Sequence, residues 1–312
     1  MDGFASMLLS GGTPPIAQVL YGIGYFFIYV FVLSSMFLTG LSATPGDLLE
    51  PVRDRRLLGV ALCTNFVLVP LLALVLIALI PMNEQLAGGL LLVSIAAGAP
   101  TTMKVAQVTG GNVARAVSLT ILMTMVTIVI MPLLLPIILP WAQADPLEVT
   151  RNLVVLILIP IILGLLLRSR SPALAGRLTP VMDWTSDIST AIILLTLGIV
   201  FLLRLGGFAG SSSGALAIPV AILFTLGALG LGYLLGGFSE GSREEIAFGA
   251  GSRNITAALV VIFASYSNAR NDVLLMVLMV TAFSVIIISI LVGIIYKRRW
   301  HDEELPPAGS EI

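Results

Sequence analysis

The chain has 312 residues, 58% of them hydrophobic and only 11% charged, with a formal net charge of −1 and a mean hydropathy of +1.07. No water-soluble core needs that much apolar surface, so composition points to an all-α polytopic membrane protein. Strand alternation of the outer-membrane-barrel kind is absent; the net charge says nothing about a nucleic-acid partner, and with no basic arm or aromatic-interleaved patch in the sequence none is expected.

Met1–Pro15 is polar and Gly/Pro-bearing with no basic flank, which does not read as a cleavable signal peptide. The first span, expected at about 18–41, then serves as an uncleaved insertion signal. Tyr21, Tyr25 and Tyr29 form an interfacial or packing stripe along it. Apolar runs of crossing length follow at about 58–80, 86–108, 113–139, 152–168, 182–203, 215–237, 245–265 and 273–296, for a total of nine spans. Cys63 lies in the second; alone, it forms no internal disulfide and reads as a small buried hydrophobe. Met36, Met103, Met123, Met125 and Met279 read as core packing. The Gly/Ser-rich stretch at 204–214 reads as a linker. The acidic residues 300–312, with the only histidine, His301, read as a disordered cytoplasmic tail. No loop is long enough for a soluble domain.

Lys and Arg orient the spans. Arg53, Arg55, Arg56, Arg115, Arg168, Arg170, Arg177, Arg243, Lys297, Arg298 and Arg299 fall on one side, and Arg151, Arg204 and Arg270 on the other. The positive-inside rule then puts the N-terminus outside and the C-terminus in the cytoplasm of a cell inner or plasma membrane.

Two cations belong to neither loop set. Lys104 follows the breaker run Gly98-Ala99-Pro100, and Arg253 follows Gly249-Ala250-Gly251. A charge near the bilayer centre costs at least about 2.5–3.5 kcal/mol, so each faces a partner or a water-filled cavity. Each break leads through a cationic cluster and a small-residue half-helix to a loop with Asn and Arg: Asn112 and Arg115, then Asn268 and Arg270. The third span runs inward and the eighth outward, so the two form an inverted repeat whose breaks cross near the midplane. Gly and Pro are common in membrane helices and would fit packing alone; a cation beside each break points to a site.

At these residues the chain resembles the bile acid:sodium symporter family, from about Leu33 to Ile288. Phe37-Leu38-Thr39-Gly40-Leu41 with Pro45-Gly46-Asp47-Leu48, Asn65-Phe66-Val67-Leu68-Val69-Pro70, Gly111-Asn112-Val113-Ala114, Gly232-Tyr233-Leu234-Leu235-Gly236 and Gly251-Ser252-Arg253-Asn254 carry the resemblance, in order and at similar spacing. It implies two inverted repeats arranged as a core domain (about 58–139 and 215–296) and a panel domain (about 18–41 and 152–203). It also implies alternating access with an organic anion in the cleft between them. The family's sodium-binding members place a Glu and a Gln in the second crossover, where this chain has Gly249 and Arg253. Their Ser-Asn pair in the first falls on Thr102 and Met103, or about one helical turn away if the register is set on Pro100.

Oxygen ligands for Na⁺ would have to come from Asn65, Thr101, Thr102, Thr120, Thr124 and Asn254, with no carboxylate in either crossover. Lys104 and Arg253 would repel a second cation, so reduced or absent sodium dependence is expected; they would instead attract an anion, Arg253 by a bidentate clasp. A buried lysine loses its proton readily, which also makes Lys104 a candidate for proton coupling. Asp183 and Asp187, four residues apart on one helix face, either pair with a core cation as a gate or cap the start of the sixth span. Thr120, Thr124 and Thr127 share a face and read as bonding their own helix backbone, with Thr120 and Thr124 alternatively turned to the crossover. Gln107 is either a helix-end residue or a site donor.

The expected function is secondary active transport of a small organic anion, bile-acid-like or a carboxylate or sulfonate. A passive anion channel and a membrane enzyme are the alternatives. No catalytic set, metal cluster, phosphate loop or cofactor motif stands in the sequence. Oligomeric state is not legible.

Overall fold

The computed structural model describes residues 15–44, 46, 54–138, 145–208, 212–237, 243–265 and 270–304. Their secondary structure is helical: α1 (Pro15–Leu41), α2 (Arg55–Leu79), α3 (Glu84–Ile95), α4 (Thr101–Thr109), α5 (Val113–Ile138), α6 (Pro146–Arg170), α7 (Pro172–Phe208), α8 (Ser212–Gly236), α9 (Arg243–Gly251), α10 (Ile255–Ser265) and α11 (Arg270–Glu304). The chain is an all-α integral membrane protein. Seven stretches are long and apolar enough to cross a membrane. The expected nine would add the interrupted α3–α4 and the 37-residue α7, which do not qualify among the described residues.

Large apolar side chains face outward on α2 (Val67, Leu71, Leu74, Leu79), α5 (Leu133, Ile137) and α11 (Ile286, Ile290). In water such a surface would be a liability; in lipid it faces its own solvent. The interrupted stretch is the opposite case. Of the Arg243–Ile262 window, 89% is buried, against 33% for Arg55–Leu79, so the broken helices sit at the centre. Leu86, Leu90, Leu92, Val93 and Ile95 of α3 pack in the same core as Ala257–Ile262 of α10. α3 lies along α11, and α8 along α9 and α11. α1 packs chiefly against α7, then α6. Gly40 and Gly164 let α1 and α6 approach closely, since a Cβ on either would overlap the other helix's backbone.

α2 and α6 each contain a π-helical turn, Thr64–Leu68 and Val154–Leu158, two residues before Pro70 and Pro160. Proline has no N–H and its ring crowds the carbonyl four residues back; the wider turn relieves that crowding. In α2 this turn carries Asn65.

Several expectations change here. α7 starts at Pro172, not near 182, so Asp183 lies about three turns inside the helix and caps nothing. α11 continues to Glu304, so the start of the expected tail is helical. Cys63 and Met125 face outward rather than into the core. The Tyr21, Tyr25 and His301 side chains, Met1–Pro14, Asn268 and residues 305–312 lie outside the described residues or side chains.

Candidate functional site

α3 ends at Ile95, and residues 96–99 are unwound before Pro100 starts α4. Gly98 has φ +85°, and a Cβ there would overlap Thr124. A left-handed turn pressed against a helix admits only glycine. In the other half, α9 ends at Gly251 and α10 begins at Ile255, with Ser252, Arg253 and Asn254 between.

The breaks meet directly. The Asn254 backbone N–H donates to Ala96 O at 2.9 Å, and Asn254 Nδ2 donates to Gly98 O at 2.9 Å. Asn254 Oδ1 accepts from Ala257 N–H at 3.1 Å and so caps α10. Thr124 of α5 donates to Gly98 O at 3.0 Å. Thr127 accepts from Ala97 N–H at 3.0 Å and donates to Ala97 O at 3.1 Å. Ser284 of α11 donates to Gly251 O at 2.7 Å. Unwinding in a membrane strands carbonyls that water would otherwise satisfy, and these side chains satisfy them inside the protein.

Arg253 is the largest contributor. It is 5% exposed. Its Nε donates to Val93 O at 3.2 Å and its Nη2 to Ser94 O at 2.5 Å. Its Nη1 donates to Asn65 Oδ1 at 2.8 Å and to Ala250 O at 3.2 Å. Four of its five N–H groups are thus engaged with protein oxygens. Three of those oxygens are carbonyls at the C-terminal ends of the half-helices α3 and α9, where the helix dipole is negative. Asn65 is held in turn by its Nδ2, which donates to Ala61 O at 3.0 Å.

Lys104 points elsewhere. Its Nζ lies 2.7 Å from Asp183 Oδ1 and 2.5 Å from Asp187 Oδ1, both on α7. The three side chains are 41%, 44% and 62% exposed. Of the two readings of the aspartates, ion pairing is the one seen. The two cations therefore do not share one gap. The proton-coupling expectation for Lys104 rested on full burial, and the residue is half-exposed.

A cavity of about 560 Å³ opens between α4 and α9, lined among others by Thr102, Thr109, Asn112, Arg115, Arg243 and Glu245. A second, of about 20 Å³, has room for one water-sized particle and is lined by Asn65, Gly98, Thr102, Thr120, Glu245 and Gly249 among others. Thr102 and Glu245 line both. Glu245 is only 7% exposed, with Arg115 Nη1 3.8 Å from its Oε2. It brings a carboxylate within two turns of the second break, where none was expected. Its place at the edge of an expected span reads as a loop position, and only packing reveals its burial.

The structure thus brings Asn65, Arg253 and Asn254 together at the crossover and sets Thr102 and Thr120 on the small cavity. Thr101 is exposed at the start of α4, as is Gln107 farther along it. Sequence reasoning missed Glu245 and the role of Thr127 across the break, while Thr124 meets both of its alternatives, bonding its own helix at Thr120 O and the break at Gly98 O. Their shared face was legible, but its direction was not.

Residues 29–210, more than half the chain, match the Sodium Bile acid symporter family. This region includes Lys104, Asp183 and Asp187 and stops short of Arg253. The chain is also 24% identical over 243 residues to a protein of Oryza sativa subsp. japonica, the probable sodium/metabolite cotransporter BASS2, chloroplastic. The aligned region is 76% of this chain and 56% of that relative, so the chain spans about half the relative's length. With its crossed, interrupted helices and this match, the chain belongs to the sodium bile acid symporter family, a family of membrane transporters.

Proposed function

We propose that the protein is a secondary transporter moving a small organic anion by alternating access. The observation that carries this reading is the Lys104 bridge. A half-helix issuing from the crossover is tied by one ammonium to two carboxylates on α7, and α7 packs chiefly on α1 and α6. In this reading α1, α6 and α7 form the panel and the other helices the core. The Lys104 bridge spans the cleft. A carboxylate or sulfonate entering there competes with Asp183 and Asp187 for the ammonium and opens the bridge. Thr101, exposed at the unwound start of α4, adds a hydroxyl beside it. The cluster carries one cation against two anions, so an entering anion gains the ammonium only as the two carboxylates move away with α7.

Arg253 and Asn254 keep the breaks joined while the cleft moves, because their bonds lie within the core. The arginine distribution sets the N-terminus outside and the C-terminus in the cytoplasm.

Uptake of labelled taurocholate and a panel of small carboxylates and sulfonates into proteoliposomes tests the reading. The expected outcome is accumulation above equilibrium under an imposed ion gradient, reduced at least tenfold by Lys104→Ala. Equilibration without accumulation would make the protein a channel, and chemical conversion of the solute would make it an enzyme.

A further inference from the structure

We infer that Arg253 is a tethered cation: its guanidinium fills a ready-made cation site of four protein oxygens, and no mobile Na⁺ binds there. The inference deepens the transport reading by addressing its coupling ion, and its test needs no transport.

Val93 O, Ser94 O, Ala250 O and Asn65 Oδ1 come from three separate elements and converge on one side chain. Oxygen convergence of this kind is what a hard monovalent ion requires. Here it arises because two half-helices end face to face, and their last carbonyls have accepting capacity that no further turn of helix fills. Two negative helix ends at one point need a positive charge to hold them together. Na⁺ would serve, at the cost of stripping its water on every cycle. A guanidinium on the chain serves permanently, because its five N–H groups spread over several acceptors and it does not leave. No carboxylate is among the four acceptors, so the site holds a single positive charge with dipoles alone. A second cation at the same oxygens would meet the guanidinium at contact distance.

Other carbonyls at the crossing are also engaged: Ala97 O accepts from Thr127 and Gly251 O from Ser284. Ala96 O and Gly98 O accept from Asn254. These carbonyls of the crossover are therefore satisfied by the chain itself, and binding of an anion does not depend on prior loading of a metal ion on them.

Equilibrium binding of ²²Na⁺ to the purified protein, together with melting curves in NaCl and KCl of equal ionic strength, gives the first test. No saturable binding and coincident curves are expected; saturable ²²Na⁺ binding by the unaltered protein would overturn the inference. Arg253→Ala gives the second. It is expected to melt well below the unaltered protein and to recover in millimolar methylguanidinium or Na⁺, but not in choline. Melting that is unchanged by the substitution, or indifferent to every small cation, would overturn the inference. If Arg253→Ala yields no folded protein, the ²²Na⁺ measurement decides alone. Failure to transport any anion would sink the transport reading and leave this result standing.

Discussion

Arg253 and Lys104 both follow a glycine-bearing break, yet Arg253 is 5% exposed with four bonds to protein oxygens, while the Lys104 side chain is 41% exposed and held by two carboxylates. The difference is one of surroundings. A buried charge whose acceptors are neutral protein oxygens cannot be removed without taking a donor from each, at about 1–3 kcal/mol for every buried acceptor left unsatisfied. A half-exposed ion pair is worth about 0–1 kcal/mol and re-forms with water or another anion. The first suits a permanent joint and the second suits a switch.

The comparison breaks most sharply at the joint. Arg253→Ala is expected to lower stability in detergent by about 3 kcal/mol or more, from several buried acceptors losing their donor at about 1–3 kcal/mol each, measured as a fall in melting temperature. A loss under about 1 kcal/mol would mean that the guanidinium joins nothing.

Gly98→Ala tests the same joint from the other break. The positive φ costs about 1–2 kcal/mol for an L-residue, and the new Cβ overlaps Thr124, so the melting temperature should fall and Thr124 should lose Gly98 O. The double variant with Thr124→Ala removes the hydroxyl that the new Cβ meets and recovers only part of this, because the backbone of Thr120 and Thr124 is also in the way.

Asn254→Ala removes the bond to Gly98 O and the α10 cap but leaves the backbone bond to Ala96. A loss of about 1–3 kcal/mol is expected from one lost hydrogen bond and one lost cap, with Gly98 O still accepting from Thr124. Asn254→Asp would keep the cap and lose the donor, separating the two contributions.

The switch should respond in the opposite manner. The double variant Asp183→Asn, Asp187→Asn is expected to change stability by less than about 1 kcal/mol. In a background lacking Cys63, maleimide labelling of Thr101→Cys should speed up several-fold as the bridge opens. Equal labelling rates would show that the aspartates do not hold the cleft.

Much of this was legible in the chain. Apolar run lengths gave an all-helical membrane protein, because a bilayer demands about 20 apolar residues per crossing. The Gly- and Pro-marked runs located both breaks, because these residues interrupt helices wherever they fall. A cation among apolar residues marked each break as a site, because lipid offers it no partner. Tertiary structure alone decided which partner each cation found. Lys104 and Arg253 look alike in sequence, yet only the fold brings α7 carboxylates to one and the spent carbonyls of α3 and α9 to the other. Glu245 shows the same limit: burial depends on which helices close over a residue, and residues from α4, α5 and α9 meet there from positions more than a hundred apart in the chain.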